Sequence, residues 1–107
     1  MKLKEGASVQ GLHWRMFDAA LKIERVLNEL GFQLTITAGS DGQHGPNSLH
    51  YHGLALDFRT RDISPAQQVK VYKEIRLALG PDFDVVQETD HGHAEYDPRH
   101  DGTPVLT

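Results

Sequence analysis

Two short stretches of the sequence carry residue types that could do chemistry, the segment SLHYHGLALDF at 48–58 and the segment QETDHGHAEYD at 87–97. Five of the seven histidines fall in or near them: His44, His50, His52, His91 and His93. A histidine is seldom needed to fill a core, and an aspartate is a poor choice within an apolar strand. These side chains therefore call for an explanation other than folding.

The first stretch contains a strand pattern with one carboxylate in it. In the apolar segment 54–58, the alternation of a strand places Ala55 and Asp57 on one face and the large apolar side chains on the other. Gly53 lets the chain turn sharply into this strand. His50, which lies seven residues before Asp57, can then converge with it on one point.

The second stretch offers the complementary donors. If it is extended, His91, His93 and Glu95 share a face. Two histidines and one aspartate are ligands that zinc accepts, and three protein ligands leave a position for water, as in catalytic zinc sites. A nearby carboxylate, Asp90 or Glu88, could take a proton from that water. A single His-x-His pair also occurs on solvated strand faces, but two clusters with complementary donors favour a metal site.

The composition limits the alternatives. The chain has no cysteine, so a tight transition-metal site must use histidine and carboxylate, and thiolate chemistry is excluded. A net charge of −4 and a pI of about 5.9 give no sign of a nucleic-acid or anionic-membrane surface. No apolar run approaches a membrane span, and the N-terminal segment lacks the apolar region of a signal peptide. We expect one domain over residues 1–107, made in the cytoplasm.

The pattern of apolar residues predicts an α+β fold with a small, mainly antiparallel sheet and two helices. The predicted elements are a helix over 12–30, a strand over 32–38, a loop over 39–48, a strand over 54–58, a second helix, and closing strands over 83–87 and 92–96. The second helix runs from Pro65 to about Leu79, with Ser64 as its N-cap and Gln67 completing a capping box. Trp14, at the start of the first helix, is expected in the core, with a substrate platform as the alternative. Two helices can cover only one face of the sheet, so the other can hold a cleft.

The residues of the first stretch are similar to a known signature. Ser48, His50, Gly53, Ala55 and Asp57 match all fixed positions of the SxHxxGxAxD pattern of the zinc D-alanyl-D-alanine carboxypeptidase family. This family includes the vancomycin-resistance D,D-dipeptidases and the phage L-alanyl-D-glutamate endopeptidases, and the hedgehog signalling domain has a similar fold. The resemblance extends over residues 36–97 and implies a hedgehog-like, D-Ala-D-Ala-peptidase-like fold.

The resemblance also implies roles for residues of both stretches. It implies His50, Asp57 and His93 as the ligands of a single zinc ion per chain. Asp90 takes the place of the general base, and His91 that of a histidine that stabilises the oxyanion. An alternative reading of the second motif makes Glu88 the base and His91 the ligand; the His-x-acid sequence that follows at 93–95 favours the first.

One position departs from the family pattern. Many members carry an arginine in the loop before the signature that holds substrate or oxyanion, whereas residues 38–41 here read AGSD. Arg59, Arg61 or His44 could substitute for it, or catalysis is weak. Ser48 and His44 are the residues that we expect to bind substrate.

The function implied by the resemblance is that of a zinc metallopeptidase which hydrolyses the stem peptide of peptidoglycan, a substrate with D-amino acids, as a carboxypeptidase or an endopeptidase. The small size predicts a monomer, and a phage or prophage origin with release to the cell wall would fit the absence of a signal peptide. The first alternative is a zinc-binding module of the same fold without useful activity, which the missing arginine favours. The second is a domain without a metal, which requires both motifs to be accidental.

Overall fold

The computed structural model describes residues 1–39 and 53–98. In these ranges the chain forms two helices and five strands, which confirms the predicted α+β class. In chain order the elements are β1 (Lys2–Leu3), α1 (Trp14–Glu29), β2 (Thr35–Ala38), β3 (Ala55–Arg59), α2 (Pro65–Leu79), β4 (Phe83–Gln87) and β5 (His91–Tyr96).

The strands form a single sheet in the order β1-β2-β3-β5-β4. β1 runs parallel to β2, and the other three pairs are antiparallel, so the sheet is mainly antiparallel as the sequence predicts. β5, which carries the second histidine stretch, lies in the interior of the sheet between β3 and β4. The β3 part of the first stretch and the second stretch are therefore neighbours in space.

Helix α2 begins and ends where its capping signals predict. The hydroxyl oxygen of Ser64 accepts a hydrogen bond from the backbone N–H of Gln67 at 3.3 Å and donates one to the Gln67 side-chain oxygen at 2.9 Å. Pro65 occupies the first turn, where its missing N–H costs nothing. These local interactions explain why the bounds of α2 are visible in the sequence.

Helix α1 begins at Trp14, two residues later than predicted, because His13 serves as its N-cap and accepts a hydrogen bond from the Arg15 N–H at 3.2 Å. The buried stripe of α1 consists of Met16, Ala19, Ala20, Ile23, Val26 and Leu27. Trp14 is 63% exposed, and Phe17 is 46% exposed. The expectation that Trp14 lies in the core is wrong: its position on the helix faces away from this stripe.

The helices and one face of the sheet share the hydrophobic core. From the central strands, Leu56 and Phe58 of β3 and Ala94 of β5 are completely buried in it. Gly92 of β5 lies against the ring of Phe58, so closely that a β-carbon at position 92 would overlap the ring. Because side chains alternate along a strand, Asp57 and His93 belong to the opposite face, which the core does not cover.

Gly53 connects the start of β3 to the segment before α1. Its carbonyl accepts a hydrogen bond from the His13 N–H at 2.8 Å, and its φ of +69° is a conformation that favours glycine. A side chain at this position would also collide with the carbonyl of Gly11. The signature glycine is thus required by both backbone conformation and packing.

Neither α1 nor α2, the helices found in 1–39 and 53–98, has the length and apolar character needed to cross a membrane.

Candidate metal centre

The pairing of β3 with β5 brings Asp57 of the first stretch beside the histidines of the second. Asp57 lies directly opposite His93, and Arg59 lies directly opposite His91. Glu95, two residues beyond His93, projects from the same face of β5. The face shared by these two central strands therefore carries Asp57, His91, His93 and Glu95.

His93 bridges two carboxylates. Its Nδ1 lies 2.8 Å from Oδ1 of Asp57, and its Nε2 lies 2.8 Å from Oε1 of Glu95. Since a neutral imidazole carries only one N–H, both bonds can form together only if the ring is protonated. Burial by itself lowers the pKa of His93, but the hydrogen bonds to Asp57 and Glu95 and the charges of these two carboxylates outweigh it and raise the pKa to about 9. The site therefore holds a positive charge between two negative ones.

The Asp57–His93 pair fits a metal ion. Nδ1 of His93 and Oδ1 of Asp57 face each other across 2.8 Å, and their side chains are 19% and 14% exposed. A zinc ion with metal–ligand distances of about 2.1 Å would hold two such donor atoms about 3.3 Å apart, so a slight widening of the pair would admit it in place of the proton. Nε2 of His93 would still donate to Glu95, the partnership that usually fixes a ligating imidazole.

The remaining predicted ligand, His50, lies outside the described residues, and so do the two predicted substrate-binding residues, Ser48 and His44. The described part of the chain supplies two of the three predicted ligands, Asp57 and His93, in direct contact.

His91 lies between the Asp57–His93 pair and Asp90. Its Nδ1 lies 2.8 Å from Oδ1 of Asp90, and its Nε2 lies 3.9 Å from Oδ2 of Asp57. The hydrogen bond from His91, together with the charges of His91 and Arg61, lowers the pKa of Asp90 below its ordinary value. Asp90 thus holds the imidazole of His91 with Nε2 turned toward Asp57.

Glu88 occupies a different position from Asp90. Its backbone N–H donates to the carbonyl of His91 at 2.9 Å and closes the turn between β4 and β5. The pKa of Tyr72, a residue of α2, is raised by burial and to a small extent by the charge of Glu88. Asp90 lines the cleft described next, whereas Glu88 is not among its lining residues.

A cleft of about 260 Å³ opens beside Asp57 and His91. Its lining residues are Lys4, Thr37, Ala38, Asp57, Arg59, Arg61, Asp90 and His91. Both arginines that the sequence offers as substitutes for the missing loop arginine are among them. Lys4 comes from the segment after β1, a strand that the sequence analysis did not predict.

The described residues also contain a cluster of carboxylates alone. Oxygen atoms of Asp84, Glu95 and Asp97 lie within 4.8 Å of one another. Exposed acidic groups often gather without an ion, and a set of carboxylates without imidazole suits calcium or magnesium better than zinc. This cluster shares Glu95 with the histidine site but lacks the predicted zinc ligands.

Sequence analysis placed Glu95 on the face of the histidines but assigned it no role. The structure gives it one, as the partner of Nε2 of His93. The two-residue spacing of His93 and Glu95 on a strand is the sequence signal that could have revealed this contact.

Comparison of the sequence with protein-family models and with curated proteins finds no match. The family resemblance therefore depends on the two motifs themselves.

Proposed function

We propose that the protein is a zinc-dependent peptidase that hydrolyses a peptide bond in the stem peptide of bacterial peptidoglycan. The observation that carries the proposal is the contact between Asp57 and His93 across β3 and β5, with the His91–Asp90 pair beside it. The substrate class comes from the resemblance of residues 48–57 to the signature of the D-alanyl-D-alanine carboxypeptidase family.

In this proposal His50, Asp57 and His93 hold the metal, and Glu95 orients His93 through its Nε2. When bound, zinc would supply a Lewis acid for the scissile carbonyl and a water of pKa about 7. The carboxylate of Asp57 offsets the charge of the metal. The hydrophobic face of the sheet behind β3 and β5 keeps both strands, and hence the ligands, in fixed register.

Asp90 and His91 form the acid–base unit of the proposed reaction. Asp90 removes the proton of the attacking water and returns it to the leaving amine, so that the proton balance closes within one turnover. His91, whose Nδ1 contacts Asp90 before substrate binds, presents Nε2 toward Asp57. Once Asp90 is released, the ring proton can sit on Nε2 and stabilise the negative oxygen that develops on the substrate.

One observation favours a second function, a zinc-binding module with little activity. The side chain of Asp90 is 72% exposed, and its pKa is lowered by its bond to His91. A general base works best with a pKa near the working pH, so this carboxylate is a weak base in the structure as it stands. Catalysis requires that His91 release Asp90 when substrate binds.

The first experiment is zinc analysis of the untagged protein after dialysis, with the His50→Ala variant as control, followed by incubation of the zinc-loaded protein with stem peptides that contain D-residues and mass analysis of the products. About one zinc per chain in the wild type, little in the variant, and cleavage of a peptide bond support the peptidase. Zinc without cleavage supports the module, and the absence of zinc from both proteins contradicts both functions.

A further inference from the structure

Three cations stand along the cleft beside the candidate metal centre: Lys4, Arg59 and Arg61, here called the cationic wall. Arg59 follows Asp57 by two residues on β3 and lies opposite His91 on β5, so that its side chain leaves the same face of the sheet as theirs. The cationic wall therefore begins next to Asp57 and His91.

The other two members of the cationic wall come from separate segments. Arg61 lies just beyond the end of β3, and its positive charge contributes, after the larger effect of the hydrogen bond from His91, to the lowered pKa of Asp90. Lys4 follows β1, and its backbone N–H donates to the carbonyl of Ile36 at 2.8 Å, which anchors it beside β2. Three parts of the chain thus converge on one cleft with the same sign of charge.

The acids in this cleft are engaged elsewhere. Asp57 bonds to His93, and Asp90 bonds to His91. Among residues 1–39 and 53–98, no carboxylate oxygen lies within 4.0 Å, the limit for an ion pair, of a side-chain nitrogen of Lys4, Arg59 or Arg61. Since no described carboxylate pairs with these three cations, an anion that enters the cleft gains attraction from all three.

A second cavity of about 510 Å³ continues from the cleft and shares Lys4 and Arg59 with it. Lys2 adds a further cation there, while Glu5 and Asp62 bring negative charge. Each cavity is thus lined by three cations and two carboxylates, and in the smaller cleft both carboxylates are bonded to histidines. The smaller cleft has the volume of about nine water molecules at roughly 30 Å³ each, enough for the carboxylate and short side chain of one residue.

We propose that the cationic wall binds a free carboxylate of the substrate and selects peptides that carry one next to the bond that is cleaved. The guanidinium groups of Arg59 and Arg61 match a carboxylate in charge and in planar geometry, and Lys4 adds a point charge from the opposite strand segment. This inference rests on the proposed function and names the chemical class of its substrate.

A stem peptide offers such a carboxylate from two sources. If the wall holds the C-terminal carboxylate, the enzyme removes the last residue and acts as a carboxypeptidase. If the wall holds a side-chain or branch carboxylate, as in a D-glutamyl residue, the enzyme cuts within the chain. Three peptides separate the two cases: the free pentapeptide that ends in D-alanine, its C-terminal amide, and the same peptide with D-glutamine in place of D-glutamate.

The test measures the binding of these three peptides to zinc-loaded protein by calorimetry. Asp90→Asn serves as the background because it stops turnover, and the variants in that background are Arg59→Gln, Arg61→Gln and the two together. Lys22→Gln is the matched control, since Lys22 is a cation on α1 whose ammonium pairs with Asp18 at 3.0 Å. Arg61 is exposed, so its replacement leaves the fold intact and keeps the test valid if the double variant does not fold.

We expect one of the two peptides that lack a carboxylate, the C-terminal amide or the D-glutamine peptide, to bind about tenfold or more weakly than the free pentapeptide. The arginine variants should reduce this preference to about twofold or less, while Lys22→Gln retains it. Equal binding of all three peptides, or a preference that survives the arginine variants, overturns the inference. The proposed function is tested separately with wild-type protein. Cleavage without a carboxylate preference supports the peptidase and contradicts the role of the cationic wall. A carboxylate preference without cleavage supports the role of the cationic wall and contradicts the peptidase.

Discussion

Nδ1 of His93 lies 2.8 Å from Oδ1 of Asp57, although 36 positions separate the two residues in the sequence. The contact depends on the antiparallel pairing of β3 and β5, in which these residues stand directly opposite each other. The candidate centre is therefore formed by the fold of the sheet, with no loop needed to bring this pair together.

Removal of the Asp57 carboxylate should abolish metal binding. Asp57→Ala leaves His93 without its partner at Nδ1 and takes away the negative charge that offsets a divalent ion, so we expect zinc per chain to fall from about one to near zero after dialysis. Elemental analysis checks this result. Glu88→Ala is the control, because Glu88 is exposed in the turn before β5; equal zinc in wild type and Asp57→Ala would rule out Asp57 as a ligand.

The pH dependence of zinc affinity should follow the proton on His93. Zinc and the proton compete for Nδ1, and the carboxylates raise the pKa of His93 to about 9 despite its burial. Affinity should therefore rise about tenfold per pH unit from pH 6.5 until it levels off near pH 9, with release of about one proton. Calorimetry in two buffers of different ionisation enthalpy measures the released proton; no release at pH 7 would show that the ring is neutral before zinc arrives.

The stability of the zinc-free protein should change with pH in the opposite direction. His93 has a pKa of about 9 in the folded state against an ordinary pKa of 6.5, so the folded state binds more protons between these values. The stabilisation is fully present below about pH 6.5 and is lost as the pH rises to 9, and it is worth on the order of 3 kcal/mol. Urea unfolding with a chelator present measures it, and His93→Gln should flatten the profile over that range.

The two acids before β5 should differ in their effect on turnover. Asp90→Asn removes the proposed base while it leaves Asp57 and His93 in place, so zinc content should remain and kcat should fall by about 10²–10⁴-fold. Glu88→Gln should have little effect on either quantity, because Glu88 does not line the cleft beside Asp57 and His91. The reverse pattern of turnover would assign the base to Glu88.

Glu95 should strengthen zinc binding through His93. Glu95→Gln replaces the charged acceptor of Nε2 with a neutral amide oxygen, which weakens the bond that holds the ring, and we expect zinc affinity to fall by about 10–100-fold. Asp84→Asn is the matched control, since Asp84 belongs to the same group of three carboxylates on the neighbouring strand. A similar loss of zinc affinity in both variants would indicate a general electrostatic effect.

Local signals in the sequence predict much of the fold. The bounds of α2 and of β4 agree with the structure because a cap, a proline and turn residues define them over short distances. The alternation around Asp57 and the His-x-His spacing predict correctly that Asp57, His91 and His93 leave one face of the sheet. Periodicity and turn chemistry are properties of a few adjacent residues and can be read without knowledge of the tertiary structure.

Features that depend on distant contacts could not be predicted in this way. β1 contains only two residues, and its parallel pairing with β2 gives no alternation to detect, so the arrival of Lys4 at the cleft has no local signal. Trp14 looks like a core residue by composition, but the stripe of α1 that begins at Met16 leaves it on the outside. Its ring lies 4.5 Å from the guanidinium of Arg15, which also lies 4.6 Å from the ring of Tyr96.

The close approach of Gly92 to Phe58 couples the two faces of the sheet. The residue between His91 and His93 has no room for a side chain because a core phenylalanine fills the space behind it. Positions 58 and 92 should therefore vary together in related sequences: a side chain at 92 requires a smaller residue at 58, and the cavity so created costs packing energy elsewhere. A substitution at position 58 that only repacks the core would therefore also change the packing behind His91 and His93.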